Sequence, residues 1–417
     1  MIYNQTKYND KWKTMKLNEL GNFSRGKSKH RPRNDKKLFE GGGYPLVQTG
    51  EIKESNLYVN KHNSEYNEFG LAQSKLWDKD TLCITIAANI AETAILAYPM
   101  CFPDSIVGFN ANKEVSSELF MHYIFTYIKQ AIQKSASGSI QDNINIDYLE
   151  HLDFKIPNKN IQDKITNVLY NIDKKIEVNN KVIDKLEKLS KTIYNYWFVQ
   201  YEFPNENGKP YKSSCGKMIW NEELKKDIPE GWKVIKTSER FKYEKGIEPG
   251  AEQYIEGKRE GYIKFYRVGD VDDSGSIYIP KGFEKDARCT PYELLVTFDG
   301  TVGKVGIGLN GVYSTGMKKI SDKESEIDVS VIWALFNSDR FQNIIQKYAT
   351  GSNILHASSS IDYLDFEYNK EIFNKFQKIV KPIYCKIIKN RLENQELKYL
   401  RDYLLPLLMN GQVGFKN

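Results

Sequence analysis

Seven basic side chains, Arg25, Lys27, Lys29, Arg31, Arg33, Lys36 and Lys37, fall within 13 residues. Cations at that density suit phosphate contacts, which hold and orient a nucleic acid without choosing its sequence. The bland alternative is a solvated charged loop. A second set, Lys242, Lys245, Lys258, Arg259, Lys264 and Arg267, is interleaved with Tyr and Phe. The stretch Gly21-Asn-Phe-Ser-Arg-Gly26-Lys27-Ser28 also satisfies the phosphate-loop pattern GxxxxGK[ST]. That loop needs a buried strand before it and a helix after it. Leu17–Leu20 is short, Lys29-His-Arg-Pro-Arg33 starts no good helix, and the equivalent second stretch has Phe241 and Ile247 in place of Gly21 and Lys27. A basic nucleic-acid loop is therefore expected here, and a nucleotide site is not.

Other chemistry is missing. There is no GxGxxG, HExxH or GxSxG, and no Asn/Asp-Pro-Pro-aromatic run of an amino-group methyltransferase. The five Cys lie far apart without a CxxC, and the five His do not cluster with them, so no disulfide framework, zinc site or other metal site is expected. His122 and His151 sit among apolar residues and read as structural. The formal charge of +6 fits an anionic partner without requiring one. The start, MIYNQTKYNDKWK, lacks the apolar run of a signal peptide, and no stretch approaches a membrane span. A cytoplasmic protein is expected.

The elements that must position these residues occur twice. Ile161–Trp197, shifted by 211 residues, falls on Ile372–Leu408 without a gap. Ile161, Ile165, Val168, Ile172, Lys175, Asn179, Leu186, Leu189 and Ile193 land on Ile372, Phe376, Ile379, Ile383, Lys386, Asn390, Leu397, Leu400 and Leu404. The spacing alternates four and three, the heptad seam of a long helix with a narrow apolar stripe, whose obvious partner is the other copy. A polar seam residue costs stability but fixes register. If the helices pair antiparallel about a pseudo-twofold, Asn179 meets Asn390 at the midpoint. Pro382 lies inside the second copy and is expected to kink or break it.

The repeat extends outward. Gln48-Thr-Gly-Glu-Ile52 resembles Arg267-Val-Gly-Asp-Val271, and Ile84-Thr-Ile86 resembles Val296-Thr-Phe298. Gly138-Ser139 and Ile146-Asp-Tyr-Leu149 match Gly351-Ser352 and Ile361-Asp-Tyr-Leu364. Around these, Tyr44–Thr49, Thr81–Ile86, Ile95–Tyr98, Tyr262–Val268, Leu294–Phe298 and Val305–Ile307 read as strands. Leu119–Lys134 and Val329–Tyr348 read as helices. The fold class is α+β, a tandem repeat of two sheet-rich mixed domains separated by two long antiparallel helices. The boundaries are 1–157, a helical spacer 158–203, a linker 204–228, a second domain 229–369 and a helical spacer 370–417.

At this point the chain resembles a family, the specificity subunit of type I restriction–modification systems. Leu397-Lys-Tyr-Leu-Arg-Asp-Tyr-Leu-Leu-Pro-Leu-Leu-Met-Asn-Gly-Gln-Val413 looks like its C-terminal signature. Leu186–Phe203 is similar to its central region, and Ile228-Pro-Glu-Gly-Trp232 to the start of its second recognition domain. The resemblance implies two target recognition domains, each for one half of a split double-stranded DNA site. It implies a coiled-coil spacer that docks two modification subunits, with S-adenosylmethionine bound there and no cofactor in this chain. Those subunits methylate adenine, and restriction subunits can join. Arg25, Lys27, Lys29, Arg31, Arg33, Lys242, Lys245, Lys264 and Arg267 are the candidate DNA-binding residues. Asn179, Asn390, Leu186, Leu189, Leu397 and Leu400 are the candidates for helix pairing and register. The rival from another class is a non-catalytic coiled-coil scaffold with two protein-binding domains.

Overall fold

A computed structural model describes residues 2–136, 144–272, 275–285, 287–352 and 354–415. The matched pair Gly138-Ser139 lies outside the described residues. Two compact units emerge, Met1–Ile176 with Leu397–Asn417, and Glu177–Glu396. Each holds one end of both long helices, Lys159–Tyr194 and Lys370–Met409. The second helix is unbroken through Pro382. Proline removes one ladder bond, to the carbonyl four residues back. Pro382 and Lys378 are both exposed, so solvent can satisfy the orphaned carbonyl.

The seam keeps its four-three alternation, but every second position moves by one residue. Ile165, Leu169, Ile172, Ile176, Asn179 and Ile183 are buried, as are Phe376, Val380, Ile383, Ile387, Asn390 and Asn394, the same positions shifted by 211. Leu189, Ile379 and Leu400 are 47%, 39% and 43% exposed, Lys175 and Lys386 are exposed, and Leu186 and Leu397 are half-buried. Leu189 and Leu400 are therefore not seam residues. The cause is visible in composition: one phase offers Val168, Lys175 and Val182, the next offers Leu169, Ile176 and Ile183. The second buries more apolar area and no ammonium group.

In the first unit Ile165 and Leu169 share a core with Leu405, Leu408 and Met409, and Arg401 bonds Asp173 at 3.0 Å. In the second, Asn179 donates to Asn394 Oδ1 at 2.9 Å and Glu393 Oε2 at 2.8 Å, not to Asn390. Asn394 in turn donates to Asn180 at 2.8 Å, and Arg391 to Glu187 at 2.9 Å. Pairing is antiparallel, and the register places Asn179 against the residue one turn beyond Asn390.

In the first unit a five-stranded sheet includes β1 (Gly21–Arg25), β3 (Leu82–Thr85) and β4 (Ile106–Ala111), with β4 between the other two. β2 (Tyr44–Leu46) lies in a four-stranded sheet. In the second unit β5 (Phe241–Lys245), β7 (Leu294–Thr297) and β8 (Met317–Asp322) repeat the arrangement, with β8 central, and β6 (Tyr262–Tyr266) lies in a five-stranded sheet. Strands expected to reach Thr49 and Val268 stop earlier, because a helical turn begins at Thr49 and at Val268. The helix Glu118–Ala136 covers the first sheet. The helix expected over Val329–Tyr348 is two, Val329–Phe336 and Asp339–Lys347, because Ser338 caps the second. The stretch 204–228 contributes to a hairpin, Met218–Asn221 with Lys226–Pro229. Just before it, Phe203 stacks on Trp232 with ring centroids 5.2 Å apart.

His122 is buried and meets Thr93 Oγ1 at 3.0 Å. Burial, helped by the Arg401 charge, pulls its pKa from the usual 6.5 down to about 4. Its folded pKa is depressed, so the neutral ring stabilises the fold above pH 6.5, and that stability drains as pH falls toward 4. Between pH 7 and 5 this group should withdraw about 2 kcal/mol. Urea unfolding of the chain and of His122→Gln at both pH values checks it. Parallel pH dependence in the two proteins would show that another group is responsible.

Candidate nucleic-acid interface

The two units repeat a local frame and several of its hydrogen bonds. Arg25, ending β1, is paired across the sheet with Val107, and Lys245, ending β5, with Lys318. Gly26 and Gly246 follow because no side chain fits there. A Cβ on Gly26 would lie 2.3 Å from the Phe102 carbonyl oxygen and 2.4 Å from that of Pro103. On Gly246 it would lie 2.3 Å and 2.2 Å from the carbonyl oxygens of Tyr313 and Ser314. After β2, the Gln48 amide donates to Glu51 Oε2 at 2.7 Å, and after β6 the Arg267 amide donates to Asp270 Oδ2 at 3.1 Å.

The loop after β3 matches the loop after β7. The Thr85 hydroxyl donates to the Asn89 carbonyl and accepts from the Glu92 amide, as the Thr297 hydroxyl does with Thr301 and Lys304. Ala88 and Ala91 have φ of 61° and 60°, and their counterparts Gly300 and Gly303 have 68° and 84°. An alanine there costs roughly 1–2 kcal/mol that glycine does not. Backbone shape is thus kept while side chains differ: Gln48 against Arg267, Asn89 against Thr301, Glu92 against Lys304, Val107 against Lys318.

These frames carry the expected basic residues. Arg25, Lys27 and Lys29 are exposed and make no ion pair among the described residues. Arg31 donates to the carbonyls of Ser28 and His30, at 2.5 Å and 2.9 Å. Arg33 pairs with Asp104 at 2.6 Å, and Arg31 approaches the same carboxylate at 3.8 Å. Lys36 and Lys37 are exposed on a short 3-10 turn. In the second unit Lys242 pairs with Glu244 at 3.0 Å, Arg259 lies 5.6 Å from the Tyr262 ring, and half-buried Lys264 lies 5.2 Å from the Tyr266 ring. Lys258 is exposed. Lys245 and Arg267 belong to the repeated frame itself. Gly21–Arg25 is a paired strand leading into a turn and no helix follows Ser28, so the phosphate-loop pattern is coincidental.

Residues 9–188 match the family model for the type I restriction modification DNA specificity domain. Over nearly its whole length the chain is also similar to type I restriction enzyme specificity subunits. It is 23% identical to the MjaIX specificity subunit of Methanocaldococcus jannaschii, covering 96% of this chain and 93% of that one. It is 20% identical to the HindI specificity subunit of Haemophilus influenzae, over 91% and 97%. Among solved structures it resembles the S subunit from M. genitalium, with a TM-score of 0.59, 17% identity and full coverage of both chains, a likeness of fold.

Folding adds a residue that sequence reading missed. The Lys27 carbonyl accepts from the Ser74 hydroxyl at 2.9 Å, and the His30 amide donates to Gln73 at 3.0 Å. This brings exposed Lys75, 3.5 Å from the Trp77 ring, beside the basic loop. Phe69, 51% exposed, meets His30 at 5.5 Å. Nothing in sequence spacing announces either contact. Asp104 was missed too, and it offsets charge in the loop. Asp104→Asn should release Arg31 and Arg33, tighten binding to duplex DNA of any sequence and steepen its log–log salt dependence by roughly 1–2. Anisotropy titrations at two salt concentrations read this directly, and an unaltered slope would place the two arginines off the DNA.

Among the described residues no helix is long and apolar enough to cross a membrane, and no group of three or more His, Cys, Asp or Glu could hold a metal ion.

Proposed function

We propose that the chain is the non-catalytic specificity subunit of a type I restriction–modification complex, reading a bipartite double-stranded DNA target with one frame per half-site. The observation that carries this is the repeated frame, with backbone bonds kept and outward polar side chains changed. Base edges are told apart by the donors and acceptors presented to them, so two scaffolds of one shape with different side chains suit two different sequences. The basic residues around each frame supply the phosphate contacts that set orientation.

In this reading the two long helices dock two modification subunits. Those subunits bind S-adenosylmethionine and methylate adenine, and restriction subunits can join the same assembly in the cytoplasm. Replacing Trp232–Tyr368 with the equivalent segment of a relative tests it, through binding-site selection on the assembled complex. One half-site should change completely and the other should stay. Changes in both would overturn the reading of one frame per half-site, and absence of salt-sensitive binding to duplex DNA would favour a protein-binding scaffold instead.

A further inference from the structure

Gln48 and Arg267 occupy one position in the repeated frame, and their surroundings make it more than a charged surface. Arg267 is held twice by one carboxylate oxygen: its backbone amide and its Nε both lie 3.1 Å from Asp270 Oδ2. Asp270 is buried, whereas the Arg267 side chain is 52% exposed. With Nε engaged, the two η nitrogens, which make no hydrogen bond or ion pair among the described residues, form the outer edge of the guanidinium. In the first unit Glu51 plays the Asp270 part, taking the Gln48 amide at 2.7 Å on one oxygen and the Asn63 amide at 2.8 Å on the other. Gln48 is exposed.

The position lies where the loops of each frame converge. The Tyr266 carbonyl, one residue before Arg267, accepts from the Ser314 amide at 2.9 Å. Ser314 is the residue whose carbonyl crowds Gly246, next to Lys245. The Val268 carbonyl, one residue after, accepts from the Thr301 hydroxyl at 3.5 Å. Arg267 therefore stands between the Lys245–Lys318 strand ends and the Gly300–Gly303 loop. In the first unit the Val47 amide, one residue before Gln48, donates to Cys101 at 2.9 Å, and the Lys27 amide donates to the adjoining Phe102 at 3.2 Å.

A pinned guanidinium edge matches guanine O6 and N7 with two parallel bonds, and a glutamine amide matches adenine N6 and N7. Resting on the DNA-specificity reading above, we infer that Arg267 and Gln48 are equivalent base-reading residues. Arg267 reads a guanine in one half-site, and Gln48 reads an adenine at the corresponding step of the other. Asp270 and Glu51 are positioning residues, and the flanking lysines and Arg25 serve the phosphates.

The test is binding-site selection on the chain assembled with its modification subunits, alongside affinity for the preferred site at two salt concentrations. Arg267→Gln should replace guanine by adenine at one position of one half-site. It should weaken binding to the original site roughly 5- to 150-fold, the span of one good bidentate contact. Gln48→Arg should make the reverse change in the other half-site only. Arg267→Lys, which keeps the charge and loses the fork, should relax that one position while the salt slope holds. Equal weakening on all sequences with a shallower salt slope would make Arg267 a phosphate contact and overturn the assignment. Unchanged selection by folded Arg267→Gln and Gln48→Arg variants would overturn it as well, leaving the specificity reading intact. A wild-type complex with no sequence preference would overturn that reading, and this assignment with it.

Discussion

Arg240→Met should destabilise the second unit by roughly 3–5 kcal/mol, the range for removing one partner of a buried ion pair. Arg240 is 7% exposed and meets three carboxylates. Its Nε lies 2.6 Å from Asp322 Oδ1, a contact of charge without hydrogen-bond alignment, and its Nη2 donates to Asp322 Oδ2 at 3.0 Å. Asp322 also accepts the Glu326 and Ile327 amides at 2.7 Å and 2.8 Å, so it cannot turn out to solvent without breaking the loop after β8. Methionine fills most of the volume and leaves the carboxylate buried without its counter-charge. Arg240 immediately precedes β5, which carries Lys245, so the loss should reach the DNA frame of this unit. Denaturant unfolding gives the magnitude, and binding-site selection should show one half-site weakened and the other kept. A loss under 1 kcal/mol would mean that solvent already screens the cluster, as for a surface ion pair.

Changing Arg25, Lys27, Arg31 and Arg33 together to alanine should weaken binding to every DNA sequence while leaving base preference in place. A phosphate-contacting charge contributes roughly 0.9 to the log–log salt slope. Arg31 and Arg33 already face Asp104, so most of the change should come from Arg25 and Lys27 and total about 2. On that slope the deficit should be roughly 10-fold larger at 50 mM salt than at 200 mM. Equilibrium titrations across that range decide the point. A deficit independent of salt would assign the loop to folding, and no deficit would place it away from the DNA.

Much of this was legible without coordinates because repetition is a property of sequence. The 211-residue shift, the paired Gly26 and Gly246, and the likeness of Gln48–Ile52 to Arg267–Val271 mark one frame used twice. Helix existence was legible in the same way, since a long four-three alternation has no other economical burial. The phase read from that alternation was off by one at every second position, because positions three and four along both lie near the buried face. Only the summed apolar area chose Leu169, Ile176 and Ile183 over Val168, Lys175 and Val182. The register that sets Asn179 against Asn394 followed from that choice. Pro382 reads from sequence as a kink or a break because propensity is local, and the helix continues because tertiary packing outweighs one lost bond on a wet face. Charge was legible as composition but not as availability. Distance along the chain says nothing of Asp104 lying against Arg33, or of Lys75 beside Lys27. Those pairings arise from strands and loops far apart in sequence, so the side chains free to meet DNA were decided by the tertiary structure alone.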